Sequence, residues 1–304
     1  MVPATVKGRD SMKHDQTGIL SDIPPVARFL TFSLADTTRL ADCLTELAEE
    51  VDGDSTVVGI GESVVQAMAT TIPGLRTFPA CSGRGIEVPS TPAALWCWMR
   101  GEDRGELFHR ARHLELLLAP TFFLEESIDS FAHDHNRDLT GFEDGTENPT
   151  GDDAWATAIV NGQGPGYDGG SFVAVQQWLH DFDVFWAMTS EEQDKTIGRA
   201  RVGNEELADA PPSAHIKRTA QEEFDPEAFI LRRSMPWTEG AEGGLVFVAF
   251  GNSFDAFETL LNNMLGKNDG ITDALFTFTR PVSGAYFWCP PMKDEWLDLS
   301  ALGL

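Results

Sequence analysis

Three short stretches of the chain carry residue types that chemistry uses. The first is 138–149, DLTGFEDGTENP, in which Gly141 and Gly145 bracket Phe142 and a lone aspartate, Asp144. Glycines allow tight turns and close approach of backbone to a flat ligand, and an isolated carboxylate held in such a loop is a candidate proton acceptor and donor. The same residues also make an ordinary surface turn with an Asx cap. The second stretch is 211–219, PPSAHIKRT, where His215 sits between a proline pair and a short apolar-basic run. Imidazole is a common metal ligand, although a lone histidine is more often structural. The third is 230–236, ILRRSMP. In a strand, Ile230, Arg232 and Ser234 would share one face, with Leu231, Arg233 and Met235 on the other. An arginine on an inward face must meet an anion, because an unpaired buried charge costs too much. A structural ion pair answers that need equally well in a chain with 48 acidic residues. His109, His113, His133 and His135 lie in charged surroundings and read as solvated.

The elements that must position these residues follow from periodicity. In the first half, strands are expected at 27–35, 56–60, 93–99 and 122–128, and helices from 40, at 62–70 and at 103–118, with Asp36 as a cap for the first. This β-α-β-β-α-β order is the ferredoxin-like pattern. The second half echoes it, with strands at 171–179, 228–234, 244–250 and 284–288 and helices at 190–200 and 254–265. The pattern predicts an α+β fold of duplicated ferredoxin-like halves, antiparallel sheets with peripheral helices. The division expected is an N-terminal tail (1–20), a first half (21–132), a connecting loop rich in Gly, Asp, Asn and Pro (133–170), and a second half (171–304). Met12 offers a second start, which would make residues 1–11 an extension.

Composition narrows the partners. The chain has 304 residues, 22 basic and 48 acidic, for a formal charge of −26. That charge repels nucleic acid and anionic membrane surfaces. No apolar run is long enough for a membrane helix, and the N-terminus lacks the apolar core of a secretory signal. Cys43, Cys81, Cys97 and Cys289 show no CxxC spacing and read as free thiols, so a cytoplasmic protein is expected.

Taken together, GFEDGTENP, the histidine of SAHIKRT and the arginine of ILRRSMP resemble the dye-decolourising peroxidase family. Three further stretches support this, GGSFVAVQQWLHDF (169–182), IGRARVGNEEL (197–207) and DALFTFTRPVSGAYFWCPP (273–291), so the resemblance covers nearly the whole chain. It implies a pair of ferredoxin-like halves with haem b in the C-terminal half. It makes His215 the proximal ligand of the haem iron and Asp273 the carboxylate partner of that histidine, with Asp269 as a competitor and a helix cap as the plainer role of Asp273. Asp144 matches the distal acid–base residue and Arg232 the distal arginine, while Ser234 stands where the family has Asn or Ser. Gly145, Thr146, Glu147 and Asn148 match the loop over the haem edge, and Arg218 is a candidate partner for a propionate. The activity implied is reduction of hydrogen peroxide through an oxoferryl haem, with small aromatic or dye-like molecules as reductants. A carboxylate keeps its basic form into acid, so donor oxidation is expected to favour acidic pH. Homo-oligomers are expected from the family. The alternatives are a haem-handling protein that stores or releases haem or its iron without turnover, a related haem enzyme of the chlorite-dismutase or coprohaem-decarboxylase kind, and a haem-free binding module.

Overall fold

The computed structural model describes residues 14–304, so Met12 and residues 1–11 lie outside the described residues. In the first half, β1 (Val26–Leu34), α1 (Leu40–Glu50), β2 (Thr56–Ile60) and α2 (Glu62–Ala67) lead to a small hairpin, β3 (Cys81–Gly83) and β4 (Ile86–Val88). β5 (Leu95–Gly101), α3 (Arg104–Leu118) and β6 (Phe122–Phe131) complete it. The second half runs α4 (Gly151–Ala158), β7 (Ser171–His180), α5 (Phe182–Ala187), α6 (Ser190–Ile197), α7 (His215–Arg218), β8 (Leu231–Arg232), β9 (Met235–Glu239), β10 (Glu242–Gly251) and α8 (Asp255–Met264). It ends with β11 (Thr279–Pro281), β12 (Ala285–Cys289) and a short pair, β13 (Met292–Lys293) with β14 (Trp296–Leu297).

The strands of the first half lie in the order β2-β5-β1-β6, and those of the second in the order β12-β7-β10 with β9 and β8 side by side along β10. Both are the antiparallel arrangement expected of a ferredoxin-like unit. The two sets are not separate sheets. Trp288 of β12 pairs with Ile60 of β2, Ser130 of β6 pairs with Trp237 of β9, and β7 pairs with β10, so the strands close a ring. Aromatic and aliphatic residues fill its interior: Phe29, Trp96, Trp98, Phe250 and Phe287 pack with ring centroids 6.0 to 6.4 Å apart. Such residues favour strands because they pack on a pleated surface. α1, α2, α3 and α8 cover the outer face over a second apolar cluster.

Local signals explain most boundaries. Asp103 caps α3 by accepting from Glu106 N–H, and Thr189 with Glu192 forms a capping box on α6. α6 stops at Ile197, short of the expected 200, because Gly198 takes a left-handed conformation with φ +96°. Asp36 does not cap α1. Three residues separate it from the helix, and its carboxylate accepts from Thr38 N–H at 2.7 Å, closing a turn before it. The expected strand 228–234 is shorter: β8 begins only at Leu231, and the regular strand breaks off after Arg232, although Arg233 N–H still donates to Val248 C=O and the same register resumes at Met235. The segment 133–170 is not all loop, since it contains α4. Residues 14–20 are no loose tail either. The fully buried Gln16 side chain bonds both Val58 N–H and Val58 C=O and also Pro290 C=O, at 2.8 to 3.0 Å. Among the described residues, no helix is long and apolar enough to cross a membrane, and all four cysteines are free.

Candidate active site

A cavity lies between the sheet of the second half and the helices packed on it. Strand alternation sets its floor: Gln176, Trp178 and His180 of β7, Leu245 and Phe247 of β10, and Arg232 of β8 share one face. The roof comes from His215 and Ile216 of α7, with Leu260, Leu261 and Met264 of α8. The loop 138–147 makes a side wall, with Asp138, Phe142, Asp144, Thr146 and Glu147.

On the roof, His215 Nδ1 hydrogen-bonds Asp273 Oδ2 at 2.8 Å. Asp273 is 1% exposed, and its other oxygen accepts from Leu275 N–H at 2.8 Å. The two roles weighed for this residue, helix cap and histidine partner, are therefore met at once. Backbone bonds from Asp273 N–H to Met264 C=O and from Ala274 N–H to Ser213 C=O hold the two segments together. Asp269 pairs with Arg218 instead. Gly198 supports α7 from below: a Cβ there would lie 2.5 Å from Ile216 Cγ1, and its positive φ suits glycine.

On the floor, Arg232 Nη1 lies 3.1 Å from Asp144 Oδ1. Each of these side chains is about one-fifth exposed, at 19% and 21%. The loop presents Asp144 through a compact turn. Asp144 N–H donates to Asn136 C=O, Arg137 bridges to Glu143, and the buried ring of Phe142 packs on Phe185. Gly145 has φ +77°, and a Cβ at that position would sit 2.9 Å from Asn148 Nδ2. Asn148 in turn exchanges two bonds with the Arg232 backbone: Arg232 N–H donates to Oδ1 and Nδ2 donates to Arg232 C=O, both at 2.9 Å.

The remaining expected site residues divide. Thr146 and Glu147 line the cavity. Gly145 does not, and its N–H donates to Asp144 Oδ1 at 2.8 Å. Asn148 serves the arginine strand rather than offering its backbone to the cavity. Ser234 keeps the register face of Arg232 but is buried beside the cavity, with Oγ unpartnered among the described residues. Arg218 is turned away from the position expected of it. It is 5% exposed, and both its terminal nitrogens are committed within the fold, Nη1 to Asp269 and Nη2 to Asp269 and Asn263. Arg233 points to the opposite side, where it donates to Ile19 C=O and Leu20 C=O, and burial pushes its guanidinium down to about 10.

Two features were not anticipated. Arg199 lines the cavity and pairs with Glu147 and Glu206. Its signal was its place in IGRARVG, a stretch that gave resemblance but no role. The second is a polar pair on the cavity wall, with His180 Nε2 3.1 Å from Asp138 Oδ1 and His180 Nδ1 2.7 Å from Thr279 Oγ1. Burial pushes the Asp138 carboxyl up, but the bond and charge of His180 and the bonds from Thr140 outweigh it and hold the group below its ordinary value. HD dipeptides are too common to have flagged His180.

A cavity with a carboxylate-backed imidazole in its roof and a carboxylate–guanidinium pair in its floor is the layout of an oxidative or hydrolytic site, and comparison decides between them. The model for the C-terminal part of Dyp-type peroxidases matches residues 135–294. The chain belongs to the Dyp-type peroxidase family. It is 29% identical to a dye-decolorizing peroxidase of Mycolicibacterium paratuberculosis, covering 92% of this chain and 84% of the relative. It is 30% identical to one from Mycobacterium tuberculosis, covering 74% and 68%. Among solved structures, a DypB variant from Rhodococcus jostii RHA1 in complex with heme superposes with a TM-score of 0.84 at 28% identity, over 92% of this chain and 97% of that one.

Proposed function

We propose that this protein is a haem b peroxidase that reduces hydrogen peroxide and oxidises aromatic donors. The observation that carries the reading is one cavity with His215–Asp273 in its roof and Asp144–Arg232 in its floor. The residues present fit the cofactor. Among the described residues there is no group of three or more His, Cys, Asp or Glu side chains that would hold a bare metal ion, so a lone imidazole suits an iron whose other donors belong to its own ring. Apolar side chains face the cavity from both sides, Leu245 and Phe247 from the floor and Leu260, Leu261 and Met264 from the roof.

When bound, the haem supplies redox chemistry; the chain supplies orientation and proton control. Asp273 accepts a hydrogen bond from His215 Nδ1–H, which would leave Nε2 to hold the iron and would make it more basic. Asp144 accepts a proton from one peroxide oxygen and delivers it to the other, so that water is the leaving group. Arg232 stabilises the negative charge that develops on the departing oxygen. Arg199 and Lys217 line the cavity, so they rather than Arg218 are the cations that would meet a propionate. Ser234, beside Arg232, completes the arginine side. The first half and the ring of strands serve as scaffold, the second half carries the site, and the protein acts in the cytoplasm as a homo-oligomer.

The test is spectroscopic and kinetic. Haem-loaded protein should show a Soret band and turn over hydrogen peroxide with guaiacol. His215→Ala should lose the haem or its protein ligand. A loaded wild-type protein that binds haem through His215 yet oxidises no donor would overturn the reading in favour of haem handling.

A further inference from the structure

His180 and Asp138 meet on the cavity wall, and neither belongs to the roof pair or the floor pair. His180 lies on β7, and its side chain is 6% exposed. Its Nε2 meets Asp138 Oδ1 at 3.1 Å, and its Nδ1 meets Thr279 Oγ1 at 2.7 Å. The Asp138 carboxyl is held below its ordinary value, so it is ionised and only accepts. His180 Nε2 therefore carries a hydrogen. Thr279 Oγ1 lies within reach of both His180 Nδ1 and Leu179 C=O, and it has one hydrogen for the two. Given to Nδ1, that hydrogen leaves the ring neutral. Given to Leu179 C=O, it lets a doubly protonated ring donate in its place. In either state the bond from Nε2 to Asp138 stands.

Asp138 organises the turn that presents Asp144. Its Oδ2 accepts from Thr140 N–H at 3.0 Å and from Thr140 Oγ1–H at 2.6 Å. Its N–H donates to Phe142 C=O, and its C=O accepts from Gly141 N–H. On the outer side the same loop is held by solvent-facing bonds, from Arg137 to Glu143 and from Asn204 to Glu143 and Thr146, where water competes for each partner. On the cavity side His180 reaches Asp138 from the sheet. The other end of this tie leads to the roof. Thr279 of β11 pairs in register with His180. Before it, Phe278 C=O accepts from Asp181 N–H at 2.6 Å, and the Phe278 ring lies 5.8 Å from that of His180. The turn Ala274–Thr277 runs back from there to Asp273, the partner of His215. Phe278 also packs on Phe185, on which Phe142 of the loop rests. The segment 273–279 thus touches His215 at one end and supports the Asp144 loop at the other.

We propose that His180 is a positioning residue for Asp144, fastening the loop of that carboxylate to β7 and to the segment that carries Asp273. This rests on the peroxidase reading, in which Asp144 moves the proton. That transfer needs Asp144 within hydrogen-bonding reach of a peroxide oxygen, and a displacement of about 1 Å costs about 10²-fold in rate. His180 acts through Asp138, so its effect vanishes where Asp144 has no proton to move.

Replacements at His180 separate the tie from mere bulk. Gln brings an amide N–H to the place of Nε2 and reaches Asp138. Asn reproduces only the Nδ1 side, towards Thr279, and Leu fills the space without a bond. In haem-loaded protein, the stopped-flow reaction with hydrogen peroxide should slow by about tenfold or more in His180→Leu and His180→Asn, and stay near wild type in His180→Gln. Hydrogen exchange at the amides of 139–146, read by mass spectrometry without peroxide, should quicken in the first two and not in the third. In an Asp144→Asn background, His180→Leu should cost nothing further. Thr279→Val leaves Asp138 its bond but frees the ring, so it should loosen the loop in the same direction and by less; it stands in if His180→Leu does not fold. A wild-type peroxide rate in His180→Leu, unchanged exchange in both His180→Leu and Thr279→Val, no recovery with Gln, or an equal further loss in the Asp144→Asn background would overturn the assignment. A wild type that binds haem and does not react with peroxide would instead overturn the peroxidase reading.

Discussion

The side-chain amide of Asn148 lies against the backbone of Arg232 as a neighbouring strand would, giving Nδ2–H to its carbonyl and taking its N–H, each at 2.9 Å. β8 is two residues long and forms the edge of the sheet. Without that amide, the edge groups that flank the cavity arginine would face away from any strand.

Asn148→Ala should therefore act on Arg232 at a distance from its guanidinium. Leaving a partly buried donor and acceptor unsatisfied costs about 1–3 kcal/mol, measurable by chemical denaturation. The rate of peroxide reaction should fall with it, while haem affinity changes little. Asn148→Asp keeps the acceptor and loses the donor, so it should recover part of both losses. A variant with wild-type peroxide kinetics would mean that Arg232 holds its place without the clamp.

Arg232 and Arg233 should separate cleanly. Arg232→Ala should slow the peroxide step by about 10²–10³-fold, the usual cost of one preorganised donor, with stability little changed. Arg233→Ala should do the reverse. It is no surface residue, as it binds the carbonyls of Ile19 and Leu20, so its loss should lower Tm and leave stopped-flow Soret kinetics close to wild type.

Asp273→Asn retains an oxygen for Leu275 N–H but removes the charge facing His215. Loss of such a partner typically weakens metal affinity by about 10–100-fold. The iron reduction potential should rise, because a less basic imidazole stabilises the ferric state less. Asp273→Ala should add about 1 kcal/mol of lost capping to those effects. Haem transfer to apomyoglobin and a spectroelectrochemical titration would measure both.

The Asp138 carboxyl sets an acid limit. Its folded-state value lies below the ordinary aspartate value of 3.8, so the unfolded chain binds its proton first as pH falls. The stability it contributes is whole above about pH 4 and is lost as pH drops through the folded value. The gap in unfolding free energy between wild type and Asp138→Asn should be widest near neutrality and close below pH 4. A gap that widens in acid would show that the hydrogen bonds from His180 and Thr140 do not favour the charged form.

Much of this was legible in the sequence because it is local. The alternation in ILRRSMP assigned Arg232 and Arg233 to opposite faces, and the observed register keeps them there. The tight turn around Asp144 followed from Gly141 and Gly145. What stayed hidden depends on contacts between distant segments. Arg218 and Arg199 are both arginines near polar stretches, and only the fold reveals that Asp269 and Asn263 claim the first. Asn148 reads as a loop residue until β8 arrives beside it. Ring closure was equally out of reach, since single pairings such as Trp288 with Ile60 leave no periodic trace.

The two sides of the cavity differ in how firmly they are built. Most of the floor belongs to β7 and β10, strands in a closed ring that cannot shift without breaking ladder bonds on both sides, while β8 is an edge held between β10 and the Asn148 amide. The roof at His215 is a helix of four residues, hung between Gly198 beneath and Asp273 beside it. A flat cofactor would enter where the wall yields, and that wall carries His215, the proposed ligand. Capture and ligation would then be a single event, and escape would begin with the bond to iron letting go. Exchange kinetics should therefore answer to changes at Ile216, Gly198 and Asp273 far more than to changes at Phe247 or Arg232.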